Sequence, residues 1–193
     1  VIVAIAEGYV RGTINGIRVD DASGLVYSPS HFTWMDTNHP AGTPRAGYPV
    51  EIQALWIAAL DVVARLAPGG PWAARAERAR ESFARHFWLD DRGYLSDCLH
   101  ADSFRPAEQA RADDHLRCNQ VFALTLGALR DPARCRRALR ALERLLVPGG
   151  IRTLAPGPVD PALPIYRNGA LLNDPSYPYW GRYEGDEDTR RKP

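Results

Sequence analysis

The sequence predicts an all-α fold with long functional loops. Apolar residues recur at helical spacing over about 50–67, 72–88, 119–129 and 132–147. No segment carries a convincing run of period-two alternation, the mark of a half-buried strand. Pro68-Gly69-Gly70 and Pro148-Gly149-Gly150 close two of the helical stretches, as helix-stopping residues do.

Taken in order, residues 1–10 read as the tail of a helix. Residues 11–48 hold few helical repeats and many turn formers, among them Asn15-Gly16, Ser23-Gly24, Pro40, Gly42 and Pro44. A loop this long inside a compact domain is functional or disordered. Its aromatic residues Tyr27, Phe32, Trp34 and Tyr48 argue against disorder. Pro49 opens the first long helix as its first residue, with Glu51 complementing the N-terminal dipole. Its apolar stripe runs Ile52, Leu55, Trp56, Ala59, Leu60, Val63, Leu66. The second helix buries Ala76, Ala79, Phe83 and Phe87. The third starts at Asn119. Asp131 caps the fourth, with Pro132 at its first position.

The composition excludes several classes of function. With 24 Lys and Arg against 23 Asp and Glu, the net charge is +1. That balance makes no case for nucleic acid or an anionic membrane as partner. Val1 to Ala6 is apolar but far too short to span a membrane. Cys98, Cys118 and Cys135 are an odd number without metal-ligand spacing, and fit a reducing, cytoplasmic setting. His31 and His39 have no partner at metal-ligand spacing, and no loop has the Lys-Ser/Thr ending of a phosphate cradle. Neither a metal nor an organic cofactor is expected. The oligomeric state is left open.

The chemistry concentrates between residues 30 and 60. Trp34 and Asp36 lie two apart in a loop, Arg45 follows in a Thr-Pro-Arg turn, and Glu51 opens a helix. Sugars present apolar C–H faces that stack on Trp and hydroxyl rims that need ionised partners. Asp36 is the candidate general acid, a role that needs a carboxyl kept protonated near neutral pH by apolar neighbours such as Trp34 and Phe32. Turn formation is the ordinary job of such an Asp. Glu51 and Asn119 likewise have structural explanations, as dipole partner and helix cap.

A weak repeat runs through the chain. Gly24-Leu-Val-Tyr-Ser, Gly93-Tyr-Leu-Ser-Asp and Gly150-Ile-Arg-Thr-Leu each set a Gly before short apolar–polar alternation. A period near 60 residues suits a helical hairpin plus a rim loop. Three such units would make about half of a six-hairpin (α/α) barrel. The expected domain is therefore 1–193, one partial catalytic domain truncated at both ends.

Five blocks resemble a known family. They are Trp34-Met35-Asp36; Thr43-Pro44-Arg45-x-Gly47 running on to Val50-Glu51-Ile52-x-Ala54-Leu55-Trp56; Asn119-Gln120-x-Phe122-Ala123; Gly150-Ile151-Arg152-Thr153-Leu154; and Tyr179-x-Gly181-x-Tyr183-x-Gly185. In this order they resemble the C-terminal amylo-α-1,6-glucosidase domain of glycogen debranching enzymes. The resemblance implies a six-hairpin α/α barrel, Asp36 as general acid, and hydrolysis with inversion of an α-glucan or oligosaccharide. Inverting sites hold their two carboxyls ~6.5–9.5 Å apart to admit a water. Trp34 would stack on the sugar. Arg45, Glu51, Asn119, Gln120 and Arg152 would hold hydroxyls or orient Asp36, and Tyr183 would line the cleft.

The match departs from the family pattern in two places. Cys118 stands where the family has Pro. The family's His-x-Gly-x-x-Trp segment and its base glutamate are expected after Pro193, so the isolated chain is expected to be inactive. Two other readings compete. One is a different six-hairpin glycosidase of the trehalase or mannosyl-glycerate hydrolase kind. The other is a non-catalytic glycan-binding helical module.

Overall fold

The computed structural model describes residues 1–35, 45–164, 166–167, 169–171 and 173–176. It corrects the expected fold class. The chain is mixed α/β, with short antiparallel strands in several small sheets between its helices, and not an all-α barrel segment.

In chain order, α1 (Ile2–Arg11) leads into a hairpin of β1 (Arg18–Val19) and β2 (Val26–Tyr27). β3 (Gly47–Pro49) runs directly into α2 (Val50–Leu66), and α3 (Trp72–His86) packs back on α2. A hairpin of β4 (Trp88–Leu89) and β5 (Tyr94–Leu95) follows. Next come β6 (Cys98–His100), a 3-10 turn at Ala107–Gln109, and β7 (Arg111–Ala112). A 3-10 turn at Cys118–Gln120 opens α4 (Val121–Thr125), and α5 (Pro132–Leu142) comes after it. A third 3-10 turn, Glu143–Leu145, leads to β8 (Leu146–Val147), which pairs with β9 (Gly150–Ile151). β10 (Tyr166–Arg167) and β11 (Ala170–Leu171) form the last hairpin.

The strands escaped the periodicity argument because of their length. Alternation needs about four to eight residues to show, and each strand here has two or three. The Gly-led repeat was their trace: Val26–Tyr27, Tyr94–Leu95 and Gly150–Ile151 are each the second strand of a hairpin.

The helix stops also have local causes. α3 ends two residues early because Trp88 and Leu89 enter β4. The third helix opens as a 3-10 turn and stops at Thr125, short of Gly127, whose φ is 71°. The fourth is capped as expected, Asp131 accepting the Arg134 N–H at 2.7 Å with Pro132 at its first position. Pro49 is the cap residue before α2, one place earlier than the sequence pattern suggests.

The main core joins α2, α3 and the β1–β2 hairpin, with Ile57, Leu60, Phe83, Phe87 and Leu25 fully buried. Phe83 and Phe87 stack with ring centroids 4.7 Å apart. α2 is rotated relative to its apolar stripe: Leu55 and Leu66 are exposed while Gln53 is completely buried. The reason lies in β2. Gln53 Oε1 accepts the Val26 N–H at 2.8 Å, and its Nε2 donates to the Val26 carbonyl at 2.9 Å. The side-chain amide stands in for a neighbouring strand. Gln53→Leu is expected to leave both Val26 groups unpaired, at a cost of ~1–3 kcal/mol for each, read as a lower urea midpoint with unchanged slope.

One sheet positions the functional residues. β3, β6 and β7 pair antiparallel in the order β3-β6-β7. Gly47 has φ 129°, and a Cβ there would fall 2.0 Å from the Leu99 carbonyl oxygen, so the strand can approach β6 only with glycine. This register brings Arg45 and the start of α2 against residues 96–98.

Candidate functional site

Arg45 is the hub of a buried ion cluster. Its Nη1 and Nη2 donate to the two Glu51 carboxylate oxygens, each at 2.6 Å, and its Nε lies 2.8 Å from Asp97 Oδ2. Its Nη2 also donates to the Asp97 carbonyl at 3.1 Å. Arg117 Nε approaches Asp97 Oδ2 at 3.4 Å. The two Nε contacts with Asp97 are charge–charge approaches rather than aligned hydrogen bonds. Arg45 and Glu51 are each only 2% exposed. The guanidinium fork thus meets a carboxylate bidentately, the arrangement that Lys cannot reproduce.

A chain of side chains runs from this cluster to the surface. Asn119 Nδ2 donates to Asp97 Oδ1 at 2.7 Å. Asn119 Oδ1 accepts Trp34 Nε1–H at 3.0 Å. Trp34 itself is 55% exposed, and Phe32 beside it is 46% exposed. One edge of the indole is therefore tethered to a buried amide while the ring is open to solvent. Thr33 Oγ1 accepts from Arg45 Nη1 at 3.5 Å, a second tie between the loop and the cluster.

Behind Asp97 lies Asp113. Its Oδ1 accepts the Asp97 N–H at 2.7 Å and the Ser96 hydroxyl at 3.0 Å. Its Oδ2 faces His100 Nε2 at 2.9 Å and His115 Nδ1 at 3.3 Å.

Burial and pairing set the protonation tendencies. Burial alone would lower the Arg45 pKa, but Asp97 and Glu51 override it and raise it above the ordinary arginine value. Burial pushes Asp97 above the usual carboxylate range, against the pull of Arg45 and Arg117. Burial also acts to raise Asp113, yet the His100 hydrogen bond, His115 and the Asp97 N–H together hold it below that range. Burial lowers Arg117.

The structure gathers Trp34, Arg45, Glu51 and Asn119 into one network. It does not open Arg45 and Glu51 on a cleft: both lie beneath the surface, bound to each other. Gln120 is buried beside them as a structural residue, its Oε1 accepting the Leu95 N–H at 3.3 Å and its Nε2 donating to the Arg117 carbonyl. Arg152 follows β9, half-buried, with its N–H donating to the Leu145 carbonyl. Asp36 and Tyr183 lie outside the described residues. Asp97, Asp113, His115 and Arg117 were missed. The repeat segment Gly93-Tyr-Leu-Ser-Asp ends on Asp97, and that was the available signal.

The class comes from a family match: a glycoside-hydrolase-related domain, for which the family implies a carbohydrate substrate. The family model for amylo-alpha-1,6-glucosidase matches residues 1–189, and the chain belongs to that family. No curated protein sequence matches it. Among the described residues, no helix is long and apolar enough to cross a membrane.

Proposed function

We propose that this domain is an inverting glycoside hydrolase that removes α-1,6-linked glucose stubs at branch points of glycogen or a related α-glucan. Asp36 is the general acid that protonates the leaving glycosidic oxygen. A second carboxylate, on the opposite face of the sugar, activates the attacking water. Glu51 and Asp97 are not read as that base, because their oxygens are held by Arg45 and Asn119. The free cysteines fit a reducing compartment, and the cytoplasm is the proposed location.

One observation carries this reading. The residues on either side of the Asp36 segment return to the same cluster: Trp34 through Asn119, and Arg45 through Glu51 and Asp97. Trp34, tethered at one edge with its indole exposed and two positions from Asp36 in sequence, suits a sugar held by stacking and protonated at its glycosidic oxygen.

The test is glucose release from a branch-stub oligosaccharide, with the anomer of the first product followed by NMR. Inversion at an α-linkage gives β-glucose first. Trp34→Ala is expected to raise KM about fivefold or more, since stacking of this size is worth ~1–3 kcal/mol by analogy with aromatic stacking on bases. α-Glucose as first product, or no glucose release from a chain that also carries the base glutamate, would reject the proposal.

A further inference from the structure

We propose that His100, Asp113 and His115 form a binding site for a divalent transition cation of the zinc class. Neither histidine nor Asp113 has a part in the glycosidase chemistry above. The three ligand atoms lie within 4.8 Å of one another. They come from two places in the chain, the end of β6 and the segment after β7, which the β6–β7 pairing brings together.

Three features point to a cation. The first is the hydrogen-bonding of His115, which is 1% exposed. Its Nε2 lies 2.8 Å from the Pro161 carbonyl oxygen. A carbonyl only accepts, so Nε2 carries the proton, and in the neutral ring Nδ1 presents a lone pair. That lone pair faces Asp113 Oδ2 at 3.3 Å. In a buried site a positive species, either a second ring proton on His115 or a metal ion, lies between two such groups.

The second is that the same oxygen also receives His100 Nε2, at 2.9 Å. Asp113 Oδ1 is already satisfied by Ser96 and the Asp97 N–H, so the carboxylate is held with Oδ2 turned toward both rings. Metal-bound histidines characteristically donate their other ring N–H to a carbonyl or carboxylate, and ligating carboxylates are themselves hydrogen-bonded. The Pro161 carbonyl and the Ser96–Asp97 pair supply those outer partners.

The third is size. Zinc bonds of ~2.0–2.1 Å at tetrahedral angles set neighbouring ligand atoms about 3.3 Å apart. The separation from Asp113 Oδ2 to His115 Nδ1, 3.3 Å, is of that size, and that to His100 Nε2, 2.9 Å, needs a shift of a few tenths of an ångström to match it. Two imidazoles and one carboxylate are a known zinc ligand set that leaves a fourth position for water. The His100 side chain is 21% exposed, which gives an ion a path from solvent. A bound dication would clip β6 to the segment after β7 and hold Asp113 where it supports Asp97.

The test uses the protein freed of metal by chelator dialysis, titrated with Zn2+ by calorimetry and with Co2+ by visible absorption. The expected result is one ion per chain, a rise in Tm with Zn2+ by binding linkage, and the intense visible bands of low-coordinate Co2+. His100→Ala removes a ligand at the edge of the site, where the side chain is 21% exposed. It is expected to weaken Zn2+ binding more than about 100-fold, beyond the ~10–100-fold typical of losing an outer partner. His115→Gln should abolish the Co2+ bands. Absence of stoichiometric binding to the wild-type protein overturns the proposal, as does Zn2+ affinity unchanged in His100→Ala. Glucose release is read separately, so either result leaves the glucosidase reading standing on its own test.

Discussion

In a chain that also carries the base glutamate, Asp36→Asn lowers kcat for glucose release by at least ~10²–10⁴-fold, the usual contribution of one general acid or base, while oligosaccharide affinity stays close to wild type. The amide keeps the shape and hydrogen-bonding capacity of the carboxyl but has no proton to transfer. The asymmetry between kcat and binding is the informative part. A structural Asp would lose stability and affinity together. A general acid loses only the step in which the leaving oxygen takes its proton. The comparison needs both a natural branch-stub substrate and one with a good leaving group such as a glucosyl fluoride. The fluoride depends far less on protonation, so Asp36→Asn should retain much more of its turnover there. Wild-type kcat on the branch-stub substrate would remove Asp36 from the mechanism.

Arg45→Met destabilises the protein by ~3–5 kcal/mol, the cost of removing one partner from a buried ion pair. The magnitude follows from what is left behind. Glu51 loses both of its 2.6 Å hydrogen bonds, and Asp97 loses its 2.8 Å contact. Both carboxylates are almost wholly inaccessible to water. Arg45→Lys should recover only part of the loss, since a single ammonium cannot reach both Glu51 oxygens and Asp97 in the fork geometry. Arg45→Met combined with Glu51→Leu should be less damaging than Arg45→Met alone, because the stranded Glu51 charge is gone while Asp97 keeps Asn119 and Arg117. Urea unfolding of the four proteins measures this directly. A change below about 0.5 kcal/mol in Arg45→Met, the level of ordinary surface substitutions, would show that the cluster is not energetically coupled as its geometry implies.

Much of the candidate site was legible in the residues. Trp34, Arg45, Glu51 and Asn119 stood out through residue type and spacing, and three-dimensional contact joins all four. Their roles were less legible. Arg45 and Glu51 were expected to hold sugar hydroxyls or orient Asp36, and they form a buried pair. The fork of Arg45 suits a carboxylate or vicinal hydroxyls equally well, and the choice depends on which lies within reach after folding. Asp97, Asp113, His100 and His115 were illegible for a different reason. They are separated in sequence by up to 18 positions and share no helical face. Only the β6–β7 pairing sets them side by side.

The sequence by itself determined the elements whose physics is local. The apolar repeats place α1, α2, α3 and α5, Asp131-Pro132 starts α5, and Pro68-Gly69 ends α2, whereas α5 stops at Leu142, short of the expected 147, and Pro148-Gly149 instead turns β8 into β9. These rest on hydrogen bonds and side-chain spacing within a few residues. The tertiary structure alone decided the strands, the rotation of α2 and the partners of the buried charges. A two-residue strand has no period of its own and exists only because another segment pairs with it. Gln53 enters the core only because Val26 lacks a neighbouring strand on that side. A buried arginine is stable only where folding delivers carboxylates from distant positions at once, as Glu51 and Asp97 are delivered to Arg45.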